Sequence, residues 1–308
     1  MSLRLLFAGT PDFAVPALNA LLATGQTPLA VLTQPDRGVG RGRKVRPGPV
    51  KQRATSAGIE VLQPERLRDQ ALAPTLNDLQ PDLLITAAYG LILPRWLLQL
   101  PRYGCWNLHA SLLPRWRGAS PIQQAVLHGD AETGVSLMQM EPGLDTGPVF
   151  NQLRTPIGAD EDAGALHDRL ADLAAELLLT TLRQLEAGQL PPAEPQDDDQ
   201  ATHAPLLSKA DAQLDWTSPA DELARAVRAF NPWPVAWADV EGLQLRIFQA
   251  RSGGPVNAAP GSVARGQGDD DALVIGCAHG SLEVLELQSP GRRRVSASDW
   301  LNAHPDWR

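Results

Sequence analysis

Apolar and polar positions in the first half of the chain alternate between strand-like and helix-like spacing. Residues 3–8 form a short apolar run closed by Gly9, and residues 13–23 carry apolar positions at helical spacing until Gly25. A second apolar run follows at 28–33. Strand, helix and strand at this separation predict an α/β fold, a Rossmann-like doubly wound parallel sheet whose ligands sit at the carboxyl ends of its strands. The spacing predicts further helices over 49–57, 65–79 and 120–128, a short strand at 59–62, and a buried strand at 82–88 that ends at Tyr89-Gly90. Residues 135–140 and 149–156 read as a strand pair, and 160–187 as a long amphipathic packing helix ended by Gly188.

The pattern changes after that glycine. Residues 189–207, with Pro191, Pro192, Pro195 and the run Asp197-Asp198-Asp199, read as an extended linker. A helix is expected over 219–230, and the two prolines of Asn231-Pro232-Trp233-Pro234 exclude regular structure there. Short strands at 235–240, 243–250, 261–264, 272–277 and 281–287, separated by Gly, Pro and Asp turns, predict a small β-barrel closed by a helix over 296–303. The expected organisation is a catalytic domain over 1–188, a linker over 189–207 and a β domain over 208–308.

A chain of 308 residues suits two domains, and 43% hydrophobic with 20% charged residues describes an ordinary globular protein. No apolar run approaches the ~20 residues needed to span a bilayer, and no basic, apolar leader opens the chain, so no membrane partner and a cytoplasmic location are expected. Cys105 and Cys277 are far apart and outside any Cys-x-x-Cys pair, which makes a disulfide framework or a zinc site unexpected. The formal net charge of -8 excludes a general polyanion binder, but local patches decide phosphate contact. One such patch holds Arg37, Arg41, Arg43, Lys44, Arg46, Lys51 and Arg53, with glycines interleaved and no acid between. Its place after the second strand, beside the expected site, suits a phosphate-bearing partner.

Candidate chemistry concentrates in residues 105–118. Asn107 and His109 stand two apart at the end of a predicted strand, so their side chains share one face and converge on one region. The loop 141–148 opens on Glu141 and presents a second carboxylate between its two glycines, Asp145, which is the candidate. A carboxylate against His109 would orient the ring and favour its charged form, and an amide with an imidazole can hydrogen-bond a developing oxyanion. That set predicts transfer of a carbonyl-type group. Ser111 is expected to face away from the pair, so direct attack by a substrate amine fits better than an acyl-enzyme. His128, next to Gly129, reads as a helix-end cap, and His167 as a solvent-facing helix residue. No residues have metal-ligand spacing.

Asn107-x-His109, the run Ser111-Leu-Leu-Pro-x-Trp-Arg-Gly118 and Gly143-Leu-Asp145-Thr-Gly147 together resemble the signature of the folate-dependent formyltransferase family. The opening Phe7-Ala-Gly-Thr-Pro-Asp-Phe13 and the segment Gln34-Pro-Asp-Arg-x-x-Gly-Arg-Gly-Arg43 are similar to the branch of that family that acts on methionyl-tRNA. The resemblance implies 10-formyltetrahydrofolate as co-substrate, no metal, and initiator methionyl-tRNA as partner to a monomer. It implies that Asn107 and His109 stabilise the oxyanion while Asp145 keeps His109 charged and relays a proton. Ser111, Leu112, Leu113 and Pro114 would hold folate, Arg41, Arg43 and Lys44 would meet the acceptor end of the tRNA, and Phe13 would help hold the methionyl side chain. The β domain would be OB-like and would help hold the tRNA. From Ser208 onward, however, ten Lys/Arg face thirteen Asp/Glu, and Arg292-Arg293-Arg294 is the one concentrated basic patch. Two alternatives stay open: a folate formyltransferase acting on a small amine, and a folate-binding protein without turnover.

Overall fold

The computed structural model describes residues 3–39, 44–267 and 271–307, and the chain divides into two compact units. The first comprises Met1–Pro121, Thr133–Thr155 and His167–Ala204, and the second Ile122–Glu132, Pro156–Leu166 and Pro205–Arg308.

The first unit is built on β1 (Leu5–Gly9), α1 (Val15–Ala23), β2 (Ala30–Leu32), β3 (Arg37–Val39), β4 (Lys44–Arg46), α2 (Pro49–Ser56), β5 (Glu60–Leu62), α3 (Ala73–Asp78), β6 (Leu83–Ala87), α4 (Arg95–Leu98), β7 (Cys105–His109) and β8 (Arg117–Gly118). After α5 (Pro121–Leu127) come β9 (Glu132–Gln139), β10 (Val149–Pro156), α6 (Ala163–Glu186) and β11 (His203–Ala204). Seven strands form one sheet in the order β10-β9-β7-β6-β1-β2-β5. Its β5, β2, β1, β6 and β7 are mutually parallel, as the alternation of strands and helices predicts, while β9 runs antiparallel to β7. β1 and β6 are buried at every position, which explains why they read as apolar runs rather than alternating ones, with Thr86 the one polar side chain among them. Leu6, Leu32, Leu76, Leu84 and Leu97 pack together as a core on the sheet.

The second unit contains α7 (Ala220–Ala229), β12 (Ala236–Val240), β13 (Leu243–Gly253), β14 (Leu273–Gly276), β15 (Ser281–Gln288), β16 (Val295–Ser296) and α8 (Ala297–Ala303). Its strands pair antiparallel in the order β12-β13-β15-β14, with β16 on β15. Val227, Ile247, Leu282, Leu287 and Trp300 lie in its core. Of the strand expected at 261–264, only a bridge from Val263 to Ile275 forms.

Two expectations change, and the structure shows how a third segment is held. The helix expected over 65–79 is reduced to α3, because Pro74 sits in its first turn and a proline there cannot continue a helix from the residues before it. The basic segment is a two-stranded ribbon, with Arg37 opposite Arg46 and Val39 opposite Lys44, rather than a plain loop. The proline-rich segment is tied down at several points. Val149 bridges Glu194, and β11 pairs parallel with β8, setting His203 beside Arg117 and Ala204 beside Gly118.

This last pairing leaves no room for a side chain. Gly118 has φ +125, and a Cβ there would lie 2.4 Å from the Ala204 carbonyl oxygen. Gly118→Ala is expected to cost about 1–3 kcal/mol of stability, read as a lower urea midpoint, and to speed amide exchange at 203–204. An unchanged midpoint and exchange rate would mean that the strap does not dock on β8.

Candidate active site

Adjacent parallel strands put Thr86 of β6 in register with Asn107 of β7. The Thr86 hydroxyl, 2% exposed, lies 2.8 Å from Asn107 Oδ1. It also lies 3.0 Å from the Trp106 carbonyl and 3.2 Å from Met140 Sδ, and it can donate to only one of them at a time. With Oδ1 turned to the hydroxyl, Asn107 presents its Nδ2 protons to Asp145 Oδ1 across a long 3.4 Å contact.

Two residues along the same face, His109 is buried at 6% exposure, and its Nε2 lies 2.9 Å from the Trp116 carbonyl oxygen. A carbonyl only accepts, so Nε2 carries a proton and donates it. Nδ1 therefore faces the Asp145 carboxylate, 3.7 Å from Oδ2, within ion-pair range but longer than a hydrogen bond. The ring is aimed by the Trp116 carbonyl, a backbone group that side-chain motifs do not reveal. Trp116 is held in turn with φ +62, and its N–H donates to Thr202 Oγ1 at 2.8 Å.

Asp145 has φ +54, in the left-handed region that non-glycine residues rarely adopt. Its Oδ2 accepts the Gly118 N–H at 3.0 Å, so the turn that follows Trp116 also supports the carboxylate. The carboxamide of Gln196, from the proline-rich segment, donates to the carbonyls of Asp145 at 2.8 Å and Gly147 at 2.7 Å. The structure thus brings Asn107, His109 and Asp145 to one place and adds Thr86, Trp116 and Gln196, which the sequence reading did not single out.

The loop after β7 hangs on buried polar groups. Ser136 Oγ lies 2.7 Å from the Ser111 carbonyl and accepts the Leu113 N–H at 3.0 Å, and Gln152 Nε2 donates to the Leu113 carbonyl at 2.9 Å. Ser111 is fully buried, and its hydroxyl donates to the Arg115 carbonyl at 2.5 Å. That hydroxyl is engaged locally, but strand alternation is not the cause. Residues 107, 109 and 111 share one parity, and the strand ends at His109, so the turn redirects Ser111. Leu113 is buried, while Leu112 and Pro114 are half-buried. Leu113 and Pro114 line a concavity of about 340 Å³ with Phe150, Asn151, Gln152 and Gln196. Glu194 and Asp197 line it as well, so the wall is mixed: an apolar side from Leu113, Pro114, Val149 and Phe150 and a polar side of amides and carboxylates.

Phe13 is 5% exposed, with its ring edge-on to His167 at 5.6 Å between centroids. His128 Nδ1 lies 3.0 Å from the Gln124 carbonyl, as a helix-end cap does. Arg41 and Arg43 lie outside the described residues, and Lys44 is described through its backbone alone. Arg37 and Arg46 are exposed and face each other across the ribbon. Lys51 is paired with Asp36 at 2.6 Å, and the hydrogen bonds from Lys51 and Gln63 hold the Asp36 carboxyl below its ordinary range. In the second unit, Arg294 pairs with Glu286 and lies over the Phe248 ring. Burial pushes the Cys105 thiol up to about 12 and the Cys277 thiol up to about 11, so neither is a ready nucleophile. Among the described residues, no group of three or more His, Cys, Asp or Glu could hold a metal ion, and no helix is long and apolar enough to cross a membrane.

Comparison with known proteins gives the family. Residues 2–182 match the family model described as formyl transferase, and residues 206–305 match the model for the formyl transferase C-terminal domain. A Methylococcus capsulatus protein named methionyl-tRNA formyltransferase is 52% identical over 303 residues, covering 98% of this chain and 97% of that one. A Stenotrophomonas maltophilia protein of the same name is 51% identical over 308 residues, covering 99% of each. Among solved structures, HypX from Aquifex aeolicus in complex with tetrahydrofolic acid superposes with a TM-score of 0.66 at 18% identity, over 98% of this chain and 47% of that one. The Helicobacter canadensis N-formyltransferase bound to folinic acid and dTDP-3-aminofucose gives 0.68 at 16% identity, over 93% of this chain and 99% of that one. Matched along both units and half-identical to relatives over its whole length, the chain belongs to the formyl transferase family.

Proposed function

We infer that this protein transfers the formyl group of 10-formyltetrahydrofolate to the α-amino group of methionine on initiator methionyl-tRNA. The observation that carries the choice of substrate is the identity of about half, across essentially the whole chain, to relatives named for that reaction. The chemistry is supported by an amide and an imidazole side by side on one strand, facing a single carboxylate. The activity belongs in the cytoplasm with the translation machinery, and the protein acts as a monomer.

Residues 1–188 carry the chemistry, 189–207 connect, and 208–308 help hold the tRNA. The methionyl amine attacks the formyl carbon, forming a C–N bond and placing negative charge on the formyl oxygen. Asn107 Nδ2 donates to that oxygen together with an Nδ1–H of His109, since Nε2–H is already given to the Trp116 carbonyl, and each such donor typically contributes about 10²- to 10³-fold in rate. Asp145 takes the proton that the attacking nitrogen must lose and passes it toward the folate nitrogen. Collapse of the tetrahedral centre breaks the bond from carbon to that nitrogen, which leaves protonated. No covalent enzyme intermediate and no metal is required. Leu112, Leu113 and Pro114 present the folate-facing side of the loop, and Ser111 shapes it from within. Phe13 contributes to the methionyl pocket.

Formyl transfer from 10-formyltetrahydrofolate to methionyl initiator tRNA is the direct test, with uncharged tRNA and a small primary amine as controls. Product is expected only with the charged tRNA. Product with the small amine and none with the tRNA would keep the site and discard this acceptor.

Arg41, Arg43 and Lys44 meet phosphates at the acceptor end of the tRNA. The Arg37–Arg46 pair supports this, since like charges opposite each other on an exposed ribbon are unfavourable until an anion approaches. Replacing Arg41, Arg43 and Lys44 together with alanine is expected to weaken tRNA binding and to flatten the slope of log K against log salt by about two to three. An unchanged slope would return the ribbon to a solvated hairpin.

A further inference from the structure

We propose that Gln196 is a positioning residue for the transfer reaction, aimed by Arg117 and acting through Asp145; this rests on the role given to Asp145 above. Asp145 stands in the left-handed region with φ +54, a conformation that costs about 1–3 kcal/mol unless its surroundings enforce it. Its loop is held closely on the sheet. A Cβ added at Gly147 would lie 1.9 Å from the Gln139 carbonyl oxygen, and one at Gly143 would collide with the Thr146 side chain.

The Gln196 carboxamide closes this loop from the other side, and its orientation is determined. Its two N–H donors go to the Asp145 carbonyl at 2.8 Å and the Gly147 carbonyl at 2.7 Å. Its oxygen accepts from Arg117 Nε at 2.9 Å. A guanidinium only donates and a carbonyl only accepts, so the amide cannot be reversed without breaking all three bonds. Arg117 is itself 5% exposed, and Nη2 reaches the carboxylate of Asp198 at 2.8 Å. The proline-rich segment thus returns to the site and bridges the two carbonyls that flank Thr146. With the backbone from Asp145 to Gly147 tied down, the carboxylate stays between Asn107, His109 and the Gly118 N–H.

Gln196→Glu keeps the shape and the acceptor for Arg117 but sets a carboxylate oxygen against two carbonyl oxygens. Gln196→Met removes the two donors and the acceptor for Arg117 without adding charge. A displacement of about 1 Å at a reacting group can cost about 10²-fold. Each variant is expected to lower kcat about 10²-fold with KM for both substrates within a few-fold, and to melt within a few degrees of the wild type. The deciding readout is coupling: in an Asp145→Asn background, neither change at Gln196 should lower kcat further. Wild-type kcat in both Gln196 variants would overturn the proposal, as would the full 10²-fold loss repeated in the Asp145→Asn background. If Asp145→Asn alone transferred at the wild-type rate, the role of Asp145 in the reaction would fall, and this proposal with it. If one Gln196 variant failed to fold, the other would decide by the same criteria.

Discussion

Strand β7 enters the sheet between a parallel neighbour, β6, and an antiparallel one, β9, and its register against both decides where the polar side chains emerge. Thr86 stands beside Asn107 on one side, and Ser136 beside His109 on the other. A slip of one residue would turn Asn107 and His109 to the opposite face. The ladder that fixes this register is backed by fully buried strands, so the site rests on the least deformable part of the molecule. Thr86 then aims the Asn107 amide, and Ser136 suspends the loop that follows His109.

Everything on the open side of β7 is chain that must be bent back toward it. The turn from Trp116 to Gly118 supplies a carbonyl to His109 and an N–H to Asp145. The segment carrying Gln196, Thr202 and Ala204 fastens that turn and the Asp145 loop at the same time. Three stretches distant in sequence thus share one hydrogen-bond network. Buried networks of this kind are strong when every member is paired and costly when one is lost. The carboxylate accepts from neutral donors at Gly118 and Asn107 and lies beside the imidazole.

Much of this was legible in the residues. Apolar runs mark β1, β2 and most of β6, and the two-residue spacing of Asn107 and His109 puts them on one face. The carboxylate at Asp145 stood out because it lies between the two glycines of a glycine- and proline-rich loop. What was not legible depends on backbone groups and on long-range pairing. The Trp116 carbonyl has no side-chain signature. The strands β8 and β11 are two residues each, too short for any periodicity, and their partners are far apart in sequence. Gln196 read as linker because prolines and acids surround it, whereas its role comes from two carbonyls that only the fold brings near. The short α3 could have been anticipated, since Pro74 interrupts the pattern that suggested a longer helix.

The central claim is that Asn107, His109 and Asp145 act as one unit on a single transferring carbon. Single-turnover transfer to methionyl-tRNA, at saturating folate, tests it when Asn107→Ala, His109→Ala and Asp145→Asn are measured one at a time and then combined. Groups that work as a unit are strongly non-additive, so each single change should cost about 10²- to 10³-fold and the triple variant should be about as slow as the slowest single one. Losses that multiplied through the triple variant, or any single change that left the rate intact, would contradict the account.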